Sequence, residues 1–181
     1  MKIEKNLVLV GMRGSGKTAV GKVLAKFLDF EFVDVDSALE KNESAKIAEI
    51  VAKNGWDFFR ELETKWTKKI ADEKNLVIST GGGVILKKEN VSALKKNGIV
   101  IFVDTPLEIL QKRVAQNSKR PSLTGDDPAA ELAKVWRDRE KLYRAAADIT
   151  VFFDFETKNR KTDLIRKSKL IWKAVKDFLQ K

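Results

Sequence analysis

The chain contains no cysteine and no histidine. Without Cys there is no disulfide, no thiolate nucleophile and no Cys-bound zinc. Without His, imidazole base catalysis and His-ligated metal are both excluded. Any metal must sit on oxygen ligands, which favours Mg²⁺. Acid–base work falls to carboxylates, Lys or Tyr. No apolar run approaches the length of a membrane span, and the N-terminus lacks the apolar stretch of a signal peptide, so a cytoplasmic protein with no membrane partner is expected. At 181 residues and 43% hydrophobic content, a single domain over 1–181 with a small mobile part is expected.

What is present starts with Gly11-Met12-Arg13-Gly14-Ser15-Gly16-Lys17-Thr18. This stretch fits the phosphate-binding loop pattern G-x-x-x-x-G-K-[ST]. Leu7-Val8-Leu9-Val10 before it reads as a buried strand, and Val20, Val23, Leu24, Phe27 and Leu28 after it recur at helical spacing. Glycines let successive backbone N–H groups curl around phosphate oxygens, and the new helix adds unpaired N–H groups. Lys17 can reach the β- and γ-phosphates, and the Thr18 hydroxyl can ligate Mg²⁺. A chance glycine-rich turn is the competing reading, disfavoured because strand, loop and helix stand in register. The stretch therefore predicts a nucleoside triphosphate site built on Gly11, Gly14, Ser15, Gly16, Lys17 and Thr18.

Glu31–Asp36 reads as a second strand ending in two carboxylates, Asp34 and Asp36, at the sheet edge where ligands bind. Alternation would point both to one face; helix capping is the competing explanation. Trp56, Phe59, Leu62, Trp66 and Ile70 form one apolar stripe, so the chain from Asn54 onward reads as an amphipathic helix. Arg60 and Glu63 are three apart on it, close enough to pair. Leu76–Thr80 reads as a third strand running into Gly81-Gly82-Gly83, where a small ligand could approach the backbone closely. Ser79 stands where other phosphate-loop proteins carry an Asp.

Ile99–Val103 reads as a fourth strand. The helix after Pro106 turns Leu107, Leu110 and Val114 inward and Arg113 to another face. Residues 116–128 lose periodicity and read as a lid, with Arg120 as its phosphate contact. A helix from Pro128 carries Arg137, Arg139, Tyr143 and Arg144. Asp148–Phe153 is a fifth strand, and a last helix turns Leu164, Ile171, Val175 and Phe178 inward. Five strands alternating with helices predict a three-layer α/β/α fold with a five-stranded parallel sheet.

Charge is uneven. Lys and Arg number 36 against 26 Asp and Glu, a net +10. Residues 158–181 hold nine Lys or Arg against two Asp, a net +7. A solvated helix face explains this better than a nucleic-acid patch, because no aromatic and basic groove accompanies it.

Taken together, the phosphate loop, Asp34-Val35-Asp36, Phe59-Arg60-Glu61-Leu62-Glu63, Gly81–Gly83, Arg120-Pro121 and Leu142-Tyr143-Arg144 resemble the shikimate kinase family. The resemblance runs from about Asn6 to Phe153. It implies ATP as phosphoryl donor, Mg²⁺ as cofactor and shikimate as acceptor, giving shikimate 3-phosphate. It implies a metal site on Thr18, Asp34 and Ser79. Asp36 would bind and orient the attacking hydroxyl. Arg60 and Arg144 would clamp the substrate carboxylate, with Glu63 fixing Arg60, and Gly82 and Gly83 would touch substrate through backbone. Lys17 and Arg120 would stabilise the transferring group, and Arg113 would stack near adenine. A mobile substrate-binding segment at about 36–63, a lid at about 116–128 and a monomeric state complete the expectation. The chain departs from the family at Trp56, Ser122, Lys141 and Ala145. Another small-molecule kinase of this fold, acting on gluconate or a nucleoside monophosphate, is the alternative. A nucleotide-binding module with a polyanion-binding tail is the more remote one.

Overall fold

The computed structural model describes residues 3–115, 128–157 and 159–180. Five strands form one parallel sheet: β1 (Asn6–Val10), β2 (Glu31–Asp34), β3 (Leu76–Ser79), β4 (Gly98–Asp104) and β5 (Ile149–Phe152), in the order β2-β3-β1-β4-β5. The helices are α1 (Lys17–Leu28), α2 (Val35–Asn42), α3 (Ile47–Ala71), α4 (Lys88–Asn97), α5 (Leu107–Ala115), α6 (Pro128–Ala146) and α7 (Arg160–Leu179). The predicted α/β architecture with five parallel strands is thus the observed one.

Strand alternation sorts the core into two layers. Val8, Val10, Ile78, Val100 and Phe102 face one side, packing with Leu39, Trp66, Ile70, Leu94 and Tyr143. Leu7, Leu9, Val77, Ile99, Ile101 and Val103 face the other, against Val20, Leu24, Ile171 and Val175 of α1 and α7. The central strands β1 and β4 are buried at every residue, as a sheet covered on both faces requires.

The register aligns the carboxyl ends. Asp34 pairs with Ser79, and Ser79 with Leu9, so β3 lies between the phosphate-loop strand and the strand that ends in Asp34. The chain reverses its direction of winding at β1, and the space beyond that strand is where an open α/β sheet binds ligands.

Three local expectations are corrected. The second strand stops at Asp34 rather than Asp36. Asp34 caps α2 by accepting from the Ser37 N–H at 3.1 Å, so Asp36 lies in the first turn of a helix. The apolar stripe over 56–70 is one arm of α3, which kinks at Gly55 with φ 82°, a backbone value suited to glycine. Phe178 is 39% exposed, although Ile171 and Val175 on the same helix are fully buried. Among the described residues no helix is long and apolar enough to cross a membrane.

Candidate active site

The loop after β1 wraps Lys17. Its ammonium donates to the carbonyls of Gly11 at 2.8 Å and Met12 at 2.9 Å, and only 7% of the residue is exposed. Beside it the Thr18 hydroxyl donates to Asp34 at 2.8 Å and lies 3.3 Å from the Ser79 hydroxyl. Sheet register causes this meeting, because Asp34 and Ser79 are paired and Thr18 lies in the first turn of the helix that follows β1.

These residues belong to a cavity of about 790 Å³. It runs from the loop to the start of α7, where Glu156, Asp163 and Lys167 line it. Arg113 spans this end: its guanidinium donates to the Gly14 carbonyl at 2.6 Å and to Glu156 through two nitrogens. Lys167 is buried against the rings of Phe153 and Phe155. Burial, and then the neighbouring Arg113 charge, lower its pKa from the ordinary lysine value.

A second cavity, of about 510 Å³, opens between α2, α3, the Gly81–Gly83 loop and α6. Arg60 donates to Glu63 at 2.6 Å and lies over the rings of Phe59 and Trp56. Burial raises the Glu63 pKa, with Arg60 opposing the shift and Asp36 adding to it. Arg60 offsets part of the cost of burying Glu63, and removing one partner of such a pair costs roughly 3–5 kcal/mol.

The glycine triplet is a matter of space. A β-carbon on Gly81 would lie 2.7 Å from an Asp36 oxygen and 2.9 Å from a Glu63 oxygen. One on Gly83 would collide with the Arg60 guanidinium. Small residues here let three charged side chains close around the backbone. The Gly82 carbonyl then accepts from Arg139 at 3.2 Å and from the Tyr143 hydroxyl at 2.5 Å. Burial pushes the Tyr143 pKa up to about 12, so the phenol stays a donor across the physiological range.

The chemistry follows from the composition of the two chambers. One has a phosphate loop, a lysine and a cluster of oxygen donors. The other has carboxylates, Asp36 and Glu63 among them, and the guanidinium groups of Arg13, Arg60 and Arg139. Asp36, Gly82 and Arg13 line both.

The shikimate kinase family model matches residues 13–169. The chain belongs to the shikimate kinase family. It is 43% identical over 147 residues to the shikimate kinase of Persephonella marina, covering 81% of this chain and 88% of that one. It is 40% identical over 147 residues to the shikimate kinase of Caldanaerobacter subterraneus, covering 81% and 85%. A shikimate kinase from Acinetobacter baumannii, solved in complex with shikimate, superposes with a TM-score of 0.86 at 34% identity over 96% of this chain and 93% of that one. The protein is accordingly an ATP-using kinase of this family.

Within that shikimate kinase frame the expected residues fall unevenly. Asp36, Arg60, Glu63 and Gly82 line the second cavity. Thr18, Asp34 and Ser79 meet as described. Gly83 lies beneath Arg60 rather than against the cavity. Arg113 lines the first cavity, engaged with Gly14 of the phosphate loop and with Glu156. Arg144 is a correction: it pairs with Asp104 and Glu140, its side chain is 49% exposed, and it does not line the cavity. Arg139 takes the place expected of it. The signal was helical spacing: Tyr143 is fully buried, and a residue four earlier shares its face, while the next residue is turned about 100° away. Arg120 and the expected lid at 116–128 lie outside the described residues, save Pro128, which opens α6.

Proposed function

We propose that this kinase transfers the γ-phosphate of ATP to the 3-hydroxyl of shikimate, giving shikimate 3-phosphate and ADP. One observation carries the reading. A chamber holding Asp36, Arg60 and Arg139 adjoins the phosphate-loop chamber, with Asp36 on the wall of both. A small polyol carboxylate needs an acceptor for its hydroxyls and guanidinium donors for its anion, and both are present in one chamber.

In this reading Arg60 and Arg139 bind the substrate carboxylate. Glu63 fixes Arg60, and the Gly82 carbonyl and Tyr143 fix the α6 side. Asp36 accepts from the attacking hydroxyl, orients it toward the phosphate loop and is the group placed to take its proton. The backbone of the loop and Lys17 hold the donor phosphates. Phosphoryl transfer is catalysed mainly by positioning and charge stabilisation, so a site without histidine is sufficient.

The oxygen donors Thr18, Asp34 and Ser79 fit Mg²⁺. Among the described residues no cluster of three or more acidic, His or Cys groups could hold a metal alone. That suits an ion whose remaining ligands are phosphate and water. Thr18 and Ser79 would hold it through their hydroxyls and Asp34 through its carboxylate. When bound, Mg²⁺ neutralises charge on the β- and γ-phosphates. The same reading keeps the enzyme a cytoplasmic monomer.

The test is an acceptor panel with γ-labelled ATP, comparing shikimate, gluconate and nucleoside monophosphates. Label passing to shikimate alone is the expected result. Faster transfer to gluconate or a nucleotide would overturn the assignment.

A further inference from the structure

Three residues of the described chain line both chambers: Asp36, Gly82 and Arg13. Asp36 supplies a carboxylate and Gly82 a backbone. Arg13 is the one cation among them. It occupies a variable position of the phosphate loop, which the loop pattern leaves unspecified.

Several features hold it at the junction. Glu131, in the first turn of α6 and 2% exposed, lies 3.6 Å from the Arg13 guanidinium. That distance makes an ion pair rather than a close hydrogen bond. The guanidinium is thus oriented while its N–H groups remain able to take an anion. On the other side Gly82 is a neighbour, where a β-carbon would stand in ordinary contact with the Arg13 backbone nitrogen at 3.5 Å. Other cations nearby already have protein partners, Lys17 among them through the Gly11 and Met12 carbonyls. Arg60 is bonded to Glu63, Arg139 to the Gly82 carbonyl, and Arg113 to Gly14 and Glu156.

We infer that Arg13 is a further catalytic residue, contacting the phosphoryl group as it crosses from the nucleotide chamber to the acceptor chamber. This rests on the phosphoryl-transfer reading above. At the junction negative charge spreads over the equatorial oxygens of the moving group, next to the negative Asp36. A guanidinium on the same wall stabilises that charge when it develops, and its planar fork suits phosphoryl oxygens. Glu131 is its positioning residue. The bond made is from the acceptor oxygen to phosphorus, the bond broken is from phosphorus to the β–γ bridging oxygen, and Arg13 neither gains nor loses a proton.

The experiment is steady-state kinetics of Arg13→Met, Arg13→Lys and Glu131→Gln with ATP and shikimate, alongside thermal melting. Wild-type turnover of shikimate is measured first, so a wrong acceptor shows in the wild type and a wrong role for Arg13 only in the variants. Arg13→Met is expected to lower kcat by roughly tenfold or more while both KM values stay within about threefold, with Arg13→Lys recovering part of the rate. A smaller loss in kcat overturns the inference. So does an equal loss in Glu131→Gln accompanied by a matching fall in melting temperature, which would make the pair a structural tether. Should Arg13→Met fail to fold, Arg13→Lys decides: it keeps the charge but not the fork, and wild-type turnover in it overturns the inference.

Discussion

Arg60 lies across the α-carbon of Gly83, so close that any side chain there would strike its guanidinium. The glycine serves an arginine that is 23 residues away in sequence. Gly83→Ala should therefore move the far end of a flexible side chain rather than strain the backbone, since Gly83 has an ordinary φ of −101°. The expected outcome is a rise in the KM for shikimate of about tenfold or more, with the KM for ATP nearly unchanged. Steady-state kinetics on the two substrates checks this.

Arg139 and Arg144 are neighbours in sequence with opposite surroundings. Arg139→Ala removes a charged donor from the acceptor chamber and should raise the KM for shikimate by roughly ten- to a hundredfold. Arg144→Ala removes a half-exposed pair with Asp104 and Glu140. It should alter the acceptor KM by less than about threefold, with a stability loss of about 1 kcal/mol or less after solvent screening. Isothermal titration of shikimate into both variants separates them.

That contrast shows which parts of the site are legible in a sequence. The phosphate loop is, because its spacing is dictated by the phosphates it wraps. The five strands are, because a sheet covered on both faces demands short continuous apolar runs. The Arg60 and Glu63 pairing is, because helical spacing brings them together. The position of Asp36 is not read from alternation alone. A strand ends where a capping side chain offers its N–H groups a better partner, and Asp34 does so two residues early. The insertion of β3 between β1 and β2 is also hidden, since lateral order in a sheet is set by crossovers and not by chain order. The place of Arg139 follows from helical spacing once Tyr143 is known to be buried, since a residue four earlier shares its face.

Asp34 has two tasks, capping α2 and accepting from Thr18. Asparagine caps as well as aspartate but carries no charge. Asp34→Asn should leave the melting temperature almost unchanged and raise the Mg²⁺ concentration needed for half-maximal rate by about tenfold. Asp34→Ala should add a stability loss of about 1 kcal/mol. Magnesium titrations of the rate, with thermal melts, distinguish charge from cap. Removing the metal with a chelator should stop turnover of the wild type, and re-addition should restore it.

Glu63 gives the fold a pH dependence. Burial raises its folded pKa above the ordinary value of 4.5, so over the interval above that value the folded chain binds more protons than the unfolded one. Stability contributed by this group is then fully present at pH values below 4.5 and declines as pH rises through the raised folded pKa. Chemical denaturation from pH 4 upward should show the wild type losing stability relative to Glu63→Gln, which cannot ionise. A difference that does not change with pH would remove this reading of the group.

The most direct measurement of the acceptor assignment is the ratio of kcat/KM for shikimate to that for its uncharged methyl ester, with ATP saturating. Two guanidinium groups reading one carboxylate predict a ratio of about a hundred or more in the wild type, falling toward one when Arg60 and Arg139 are both replaced by alanine. Equal efficiency for acid and ester in the wild type would contradict the account.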